Sequence, residues 1–366
     1  MAVSRINEAG LNVNQYGNRN LVINGGMQVA QRGNFTITTS GSAEYGGPDR
    51  FFMWTYTSTE QVVADISQAT DVPSGQGFGY SYKVDVTTAE SAVAAGEALL
   101  INQYIEAQNV QQLEYGTSSA KDVTVSFWIK STKTGTYCFS LNQPDANRVY
   151  VKEYTVDASD TWEKKIITIP GDASGTINND NGRGLWLQWV LMAGSDRQGT
   201  ANNWRGDPFD LATSNQVNAV DNASNNIYLT GVQLEVGDTA TDFEHQSAND
   251  TLQACERYFQ TYSKRTWNGI NEHATNYKMY VNGVFRQKMR AAPTASFIGT
   301  VIIARPQVSV TQRPNALGGL TAEGFQNCAW PSSGTYGGQL GTHGDAYYYM
   351  ALGDGPTNRI DFDAEL

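Results

Sequence analysis

From Leu21 to Glu244, apolar and polar residues alternate in short runs cut by turn residues, and this rhythm constrains the fold more than any other feature of the chain. A period of two sends successive side chains to opposite faces of a strand. Strands at this density, with turn chemistry between them, predict a sandwich or a barrel. Val123 to Lys130 reads as a strand with period-two alternation, and Thr136 to Leu141 follows it across Thr134-Gly135, so the pair reads as a hairpin. Val149 to Val156 and Glu163 to Ile169 read as two more strands, the second closed by Pro170-Gly171-Asp172. Gly184 to Leu191 is almost continuously apolar, as a strand covered on both faces would be, and Ile227 to Gly237 closes the series. Ala89 to Asn109 holds enough alanine to pass for a helix, but Gly96 and the run Leu100 to Ile105 fit a loop and strand better. The expected fold class is mainly β: a jelly-roll β-sandwich followed by a linking helix and a second, smaller β domain.

The pattern changes near residue 245. Asn249-Asp250 is placed to cap a helix over Thr251 to Ser263, with Leu252, Cys255, Phe259 and Tyr262 as a packing stripe on one face. Beyond it, Tyr277 to Arg290, Ser296 to Ala304, Gln307 to Thr311 and Tyr347 to Leu352 are β-rich and punctuated by proline. The expected organisation is an Asn-rich N-terminal arm over 1–22, a jelly roll over 23–246, a linking helix over 247–264 and a C-terminal β-sandwich domain over 265–366. Residues 178–184 and 194–226 read as long polar loops, and the second is longer than a compact domain usually tolerates without a role.

Several function classes fall away on charge and composition. The chain has 25 Lys and Arg against 36 Asp and Glu, a formal charge of −11. The clustered cation that binds nucleic acid or an anionic membrane is therefore not expected. The first ten residues form no apolar segment and no run approaches the length of a membrane span, so neither a signal peptide nor membrane insertion is expected. Cys138, Cys255 and Cys328 lie far apart and form no CxxC pair, which argues against a metal cluster or disulfide framework and for folding in a reducing cytosol.

Catalytic signatures are equally sparse. His245, His273 and His343 stand near no GxSxG elbow, and Asp345, two residues from His343, is weak support for a dyad. HExxH and phosphate-binding glycine loops are missing. Asn178 to Gly182 carries the Asp, Asn and Gly of a calcium loop but lacks its bidentate Glu, and reads as a turn. The expectation is therefore no catalytic residue, no metal and no cofactor. What remains is exposed aromatic and amide chemistry: flat rings bury the apolar faces of sugars, while Asn, Gln and Asp bond the hydroxyls. The glycan-binding candidates on this reading are Trp204, Trp267, Trp330, Tyr336 and Tyr348, although in a strand some rings of Tyr347-Tyr348-Tyr349 must turn inward.

A set of local strings adds a resemblance. Asn20 to Gly33 (NLVINGGMQVAQRG), Pro48-Asp49-Arg50-Phe51, and Asp160 to Lys164 running on to Ile169-Pro170-Gly171-Asp172 are joined by Tyr228 to Gly237 (YLTGVQLEVG). Ala240 to Glu244, Cys255 to Phe259 and the closing Ile360 to Leu366 complete the series in a consistent order. Together they resemble bacteriophage tail-fibre or receptor-binding proteins carrying a carbohydrate-binding-module-like jelly roll. The resemblance implies a virion component, commonly a homotrimer, synthesised in the host bacterial cytoplasm and released by lysis. It implies phage tail partners (adaptor, nozzle or hub proteins) and host surface polysaccharide, and it supplies no catalytic motif. Long fibres often begin with an extended attachment domain; here only about 20 residues precede the jelly roll. Either this short arm docks directly on the tail, with Arg5, Ile6, Leu11 and Tyr16 as docking candidates, or the protein attaches elsewhere, for example on the capsid. Without a sustained heptad repeat, any trimer would be held by β-domain faces and the arm. The function expected is a tail fibre that attaches to surface glycan. The alternatives left open are a capsid decoration or tail-assembly protein and, third, a polysaccharide depolymerase.

Overall fold

The computed structural model describes residues 18–38, 43–56, 62–263, 266–273, 278–299, 301–305, 308–310, 316–318, 320–329, 348–352 and 358–366. The chain divides into two compact units between Thr251 and Leu252. The first contains β1 (Phe35–Ile37), β2 (Ala43–Tyr45), β3 (Phe52–Tyr56), β4 (Val63–Ala69), β5 (Ser81–Thr88), β6 (Ala98–Glu106) and β7 (Val123–Ser131). It continues with β8 (Gly135–Gln143), β9 (Arg148–Val156), β10 (Glu163–Ile169), β11 (Arg183–Ala193), β12 (Trp204–Arg205) and β13 (Asn226–Val236). Two antiparallel sheets result, one six-stranded in the order β1-β4-β5-β13-β7-β10 and one seven-stranded in the order β12-β9-β8-β11-β6-β3-β2. This is the mainly-β sandwich that the alternation called for.

The alternation explains why the sheets face each other. Val125, Phe127 and Ile129 of β7, and Tyr137, Phe139 and Leu141 of β8, all turn into one continuous apolar core. At its centre Trp189 is fully buried, its ring 5.1 Å from Phe139, 5.7 Å from Phe127 and 6.3 Å from Phe51. This packing corrects the expected β7–β8 hairpin. β7 pairs with β10 and β13, whereas β8 pairs with β9 and β11. The turn after Ser131 crosses between sheets, because the inward rings of both strands (Phe127 and Phe139, 6.5 Å apart) pack face to face across the core. β11 is central in its sheet and buried along most of its length, in keeping with its nearly continuous apolar sequence. The alanine-bearing Ala89 to Asn109 stretch contains β6 and not a helix.

Two of the strings behind the resemblance close a single seam. Leu21 donates its N–H to the Leu234 carbonyl, Val232 donates to Gly25, and Asn20 Nδ2 donates to the Val232 carbonyl at 3.0 Å. A Cβ on Gly25 would stand 2.0 Å from that same carbonyl oxygen, so only glycine permits the approach. Gly231 (φ +60°) forms the irregularity in β13 between Thr230 and Gln233, where any side chain would also meet Phe78. Below the seam, Glu235 accepts from Thr241 N and Oγ1 at 2.8 Å each, and Glu244 N donates to Gln233 Oε1 at 2.8 Å. Asp49 of the second string accepts from Gln31 N and Nε2. Burial nevertheless pushes its carboxyl up from the usual value, against the lowering pull of Arg32.

The second unit holds β14 (Phe259–Ser263), β15 (Thr266–His273), β16 (Lys278–Val284), β17 (Thr294–Ile298), β18 (Val301–Arg305), β19 (Val308–Val310), β20 (Ala316–Gly318), β21 (Gly324–Ala329), β22 (Tyr348–Leu352) and β23 (Arg359–Asp363). Its sheets run β14-β23-β17 and β19-β18-β22-β15-β16-β21-β20. Phe362 packs 4.7 Å from Phe285, 5.6 Å from Phe325 and 5.7 Å from Tyr262. The helix expected over Thr251 to Ser263 is corrected here. α1 spans Ala248–Glu256, and Phe259–Ser263 is β14, paired along its length with β23. Its cap is Ser247, whose Oγ accepts from Asp250 N at 3.1 Å, not Asn249-Asp250.

Candidate functional site

On the seven-stranded sheet the alternation that buries Met53, Ile101 and Trp189 inside sends their neighbours outward. Those neighbours are Phe52, Trp54 and Tyr56 on β3, Asn102 and Tyr104 on β6, Trp186 and Gln188 on β11, and Ser140 and Asn142 on β8. Register aligns Ser140, Gln188, Asn102, Phe52 and Tyr45 in one row across five strands. The rings form a continuous chain with adjacent centroids 4.8 to 5.7 Å apart: Tyr45 to Phe52, Phe52 to Tyr104, Tyr104 to Trp186, Trp186 to Trp54, and Trp54 to Tyr56. Phe52 and Tyr104 are buried in the chain, while Tyr45, Trp54, Tyr56 and Trp186 are half-buried and present ring surface outward.

One buried amide beneath holds the central indole. Trp186 Nε1 donates to Asn102 Oδ1 at 2.9 Å, which lays the indole over the row, and Asn102 Nδ2 donates to the Leu100 carbonyl at 2.8 Å. Ser140 Oγ donates to Gln188 Oε1 at 3.2 Å, and Asn142 Nδ2 donates to the Pro208 carbonyl at 3.1 Å. Asn102, Gln188, Ser140 and Asn142 are each at most 2% exposed. A pinned ring loses little freedom when a ligand stacks on it, which favours binding over a freely rotating one.

Residues 195–216 form a flap over the β8–β9 side of the same face. Leu211 and Ala212 pack on Cys138, Val149, Val151 and Val190, and that burial raises the Cys138 thiol to about 11. The thiol is an apolar filler there, not a nucleophile. Arg197 anchors the flap: its guanidinium lies 4.3 Å from the Tyr56 ring centroid and 5.4 Å from that of Phe209, and Nε donates to the Gly96 carbonyl. Arg183 stacks 4.4 Å over Tyr104 at the other end. Burial raises the Tyr56 and Tyr104 phenols, with the neighbouring arginine pulling each back, so both stay protonated at neutral pH.

The aromatic candidates chosen from sequence lie elsewhere. Trp204, on β12, packs inward at the sheet edge against Tyr150 and Tyr115, and its Nε1 donates to the Pro170 carbonyl at 2.7 Å. Trp267 and Tyr348 fall on the neighbouring strands β15 and β22 of the second unit, opposite Met350 and Gly269 respectively. Trp330 and Tyr336 lie outside the described residues, as do His343, Asp345 and the docking candidates Arg5, Ile6, Leu11 and Tyr16. The Asn178 to Gly182 turn directs its groups at the protein: the Gly182 and Asp180 carbonyls accept from Ala107 and Gln108, and Asp180 Oδ1 caps Gly182 N. Among the described residues no group of three or more His, Cys, Asp or Glu is placed to hold a metal ion. No described helix is long and apolar enough to cross a membrane.

Sequence reasoning sought aromatics in loops and missed the platform of strand residues. Its signal was present in Phe52-Met53-Trp54-Thr55-Tyr56, where alternate positions are aromatic on the face that a two-sheet sandwich turns outward.

No family profile and no curated protein matches the sequence. Solved structures do resemble the fold. The enzymatically active domain of tailspike protein 4 of bacteriophage CBA120 matches at 14% identity and a TM-score of 0.33, over 60% of this chain and 21% of that one. The family 11 carbohydrate-binding module of a Clostridium thermocellum cellulosomal cellulase matches at 14% identity and a TM-score of 0.29, over 57% of this chain and 100% of that one. A sugar-binding protein of Bacteroides thetaiotaomicron, so described in provisional terms, matches at 11% identity and a TM-score of 0.33, over 59% of this chain and 99% of that one.

Proposed function

We propose that this protein is a non-catalytic adhesin of a bacteriophage virion, a tail fibre whose sandwich binds host surface glycan on the outer face of its seven-stranded sheet. The observation that carries the binding reading is the platform of Tyr45, Trp54, Tyr56 and Trp186, half-buried rings on a sheet face, with the Trp186 indole fixed from below by the buried Asn102 amide. Sugar rings offer apolar C–H faces to such a surface, and stacking on a preorganised indole avoids the ordering cost of a mobile one. The virion reading is supported by the ordered strings from Asn20 to Leu366, two of which build the seam that closes the sandwich. In a trimer, three weak sites would combine into useful avidity.

The test has two parts. Glycan arrays and host-cell binding with the full chain should give signal that falls on Trp54→Ala and Trp186→Ala; a blank array removes the adhesin. Electron cryomicroscopy of the particle should show the protein projecting from the tail. Density on the capsid lattice would instead make it a decoration protein. Shortening of host polysaccharide on incubation would overturn the non-catalytic reading.

A further inference from the structure

Resting on that glycan reading, we propose that the platform selects acidic sugars, with Arg183 and Arg197 recognising carboxylate or another anionic substituent at its two ends. Of the neutral groups beneath the rings, Asn102 is taken by Trp186 and the Leu100 carbonyl, Asn142 Nδ2 by the Pro208 carbonyl, and Gln188 Oε1 by Ser140. They are also buried beyond a ligand's reach. Three guanidinium groups lie beside these rings: Arg32, 5.1 Å from the Tyr45 centroid, has the Asp49 carboxyl as a charge partner, which leaves Arg183 and Arg197. Arg183 is exposed and lies over Tyr104, and Arg197 is half-buried between Tyr56 and Phe209.

Among the described residues neither guanidinium forms an ion pair, whereas Arg148 and Arg205 elsewhere in this unit are paired with Asp172 and Asp210. Glu106 faces Arg183 in register but is buried and takes the Gln108 amide at 2.6 Å, and Asp196 beside Arg197 is exposed. A planar guanidinium whose face rests on a ring still points donors outward from its edge. Arg197 Nε is taken by the Gly96 carbonyl, and its two terminal nitrogens form the fork that matches a carboxylate in bidentate fashion. Tyr104 and Ala98, the position opposite Tyr56, are six residues apart on β6, about 20 Å at the usual strand rise. The two cations thus bracket a floor that suits an oligosaccharide with repeated acidic units. Cations left unpaired on one aromatic face of a chain of net charge −11 would otherwise be drawn to carboxylates of its own.

The experiment compares uronate-bearing polysaccharides (polygalacturonate, alginate, hyaluronan and host capsule) with their carboxyl-reduced, neutral counterparts on the full chain. The acidic forms should bind roughly tenfold better at low salt, and added salt should shrink the difference. Arg183→Gln, at an exposed position that does not threaten folding, should bring the acidic-to-neutral ratio down roughly five-fold. Arg197→Lys, which keeps charge but loses the fork, should lower it less than Arg197→Gln. Lys83→Gln on the opposite sheet should leave it unchanged. Equal binding of both forms would overturn the acidic preference while leaving the glycan reading intact. Failure of both forms to bind would remove the platform as a sugar site altogether.

Discussion

On the outer face of the six-stranded sheet, Lys130 and Lys83 flank the Tyr228 ring at 4.7 and 5.7 Å, and each lysine has carboxylate partners. Lys130 Nζ lies 2.6 Å from Asp71 and 3.0 Å from Asp160, and Lys83 Nζ lies 2.7 Å from Asp85. Trp162 Nε1 also donates to Asp71 at 2.9 Å. On the seven-stranded sheet, Arg183 and Arg197 stack on rings in the same manner but, among the described residues, carry no carboxylate. Both faces use cation–π stacking; only the second leaves donor capacity over. The difference teaches that an aromatic surface alone does not mark a site. What marks it is whether the polar groups beside the rings are already satisfied by the fold.

The largest expected effect strikes both faces together. Trp189 supports the two sheets from inside, so Trp189→Ala should cost about 3–5 kcal/mol, read by denaturant unfolding of the full chain. Glycan binding and the protection of the Lys130 cluster should be lost in parallel. If binding survived while global stability fell by that amount, the platform would not depend on the sandwich core as described.

Separating the faces is the next step. Trp186→Ala removes an indole that is half-buried and pinned by Asn102. It should weaken glycan binding by about tenfold or more, a change of about 1.4 kcal/mol per decade, in isothermal titration. Trp162→Ala on the other face should leave the affinity unchanged. Equal losses from the two substitutions would break the distinction between the faces.

A smaller effect is expected from acid. Burial alone would raise the Asp71 carboxyl, but hydrogen bonds from Lys130 and Trp162 outweigh it and hold the group below its usual value. A depressed carboxyl gives stability that is present above its unfolded pKa and lost as pH falls through the folded one. Asp71→Asn should therefore cost about 0.5–1 kcal/mol near pH 7, since the pair is partly exposed and screened. The gap to the natural protein should close below the ordinary carboxylate range. A gap that persists at low pH would mean that Asp71 acts through packing and not through charge.

How far the sequence could have led to this comparison differs between fold and site. Period-two alternation in Val123 to Lys130 and the β-branched and aromatic run Val149 to Val156 mark strands locally, and β7 and β9 lie there. Which strands pair is a non-local matter: Thr134-Gly135 satisfies hairpin chemistry, yet packing of Phe127 on Phe139 decided for two sheets. Phe259 and Tyr262 suit a helical stripe with Leu252 and Cys255, and equally the buried side of a strand; pairing with Arg359–Asp363 settled the matter. The site was hidden for a related reason. Trp54 and Trp186 are 132 positions apart in the chain and meet at 5.7 Å only because β3 and β11 both border β6. Whether Arg183 or Lys130 finds a carboxylate is likewise decided by strand order.

The smallest effect concerns Ile166, which is 56% exposed on β10, an edge strand of the six-stranded sheet. If this face carries no ligand, a lone exposed apolar side chain there is ordinary surface. Ile166→Thr keeps the β-branched shape that a strand favours and removes apolar area from an edge that could template pairing with another copy. Stability should move by no more than about 0.5 kcal/mol, glycan affinity should not change, and the sedimentation profile should be unaltered. A loss of self-association would show that this edge joins copies of the chain, giving the six-stranded side a protein partner where the seven-stranded side has a sugar.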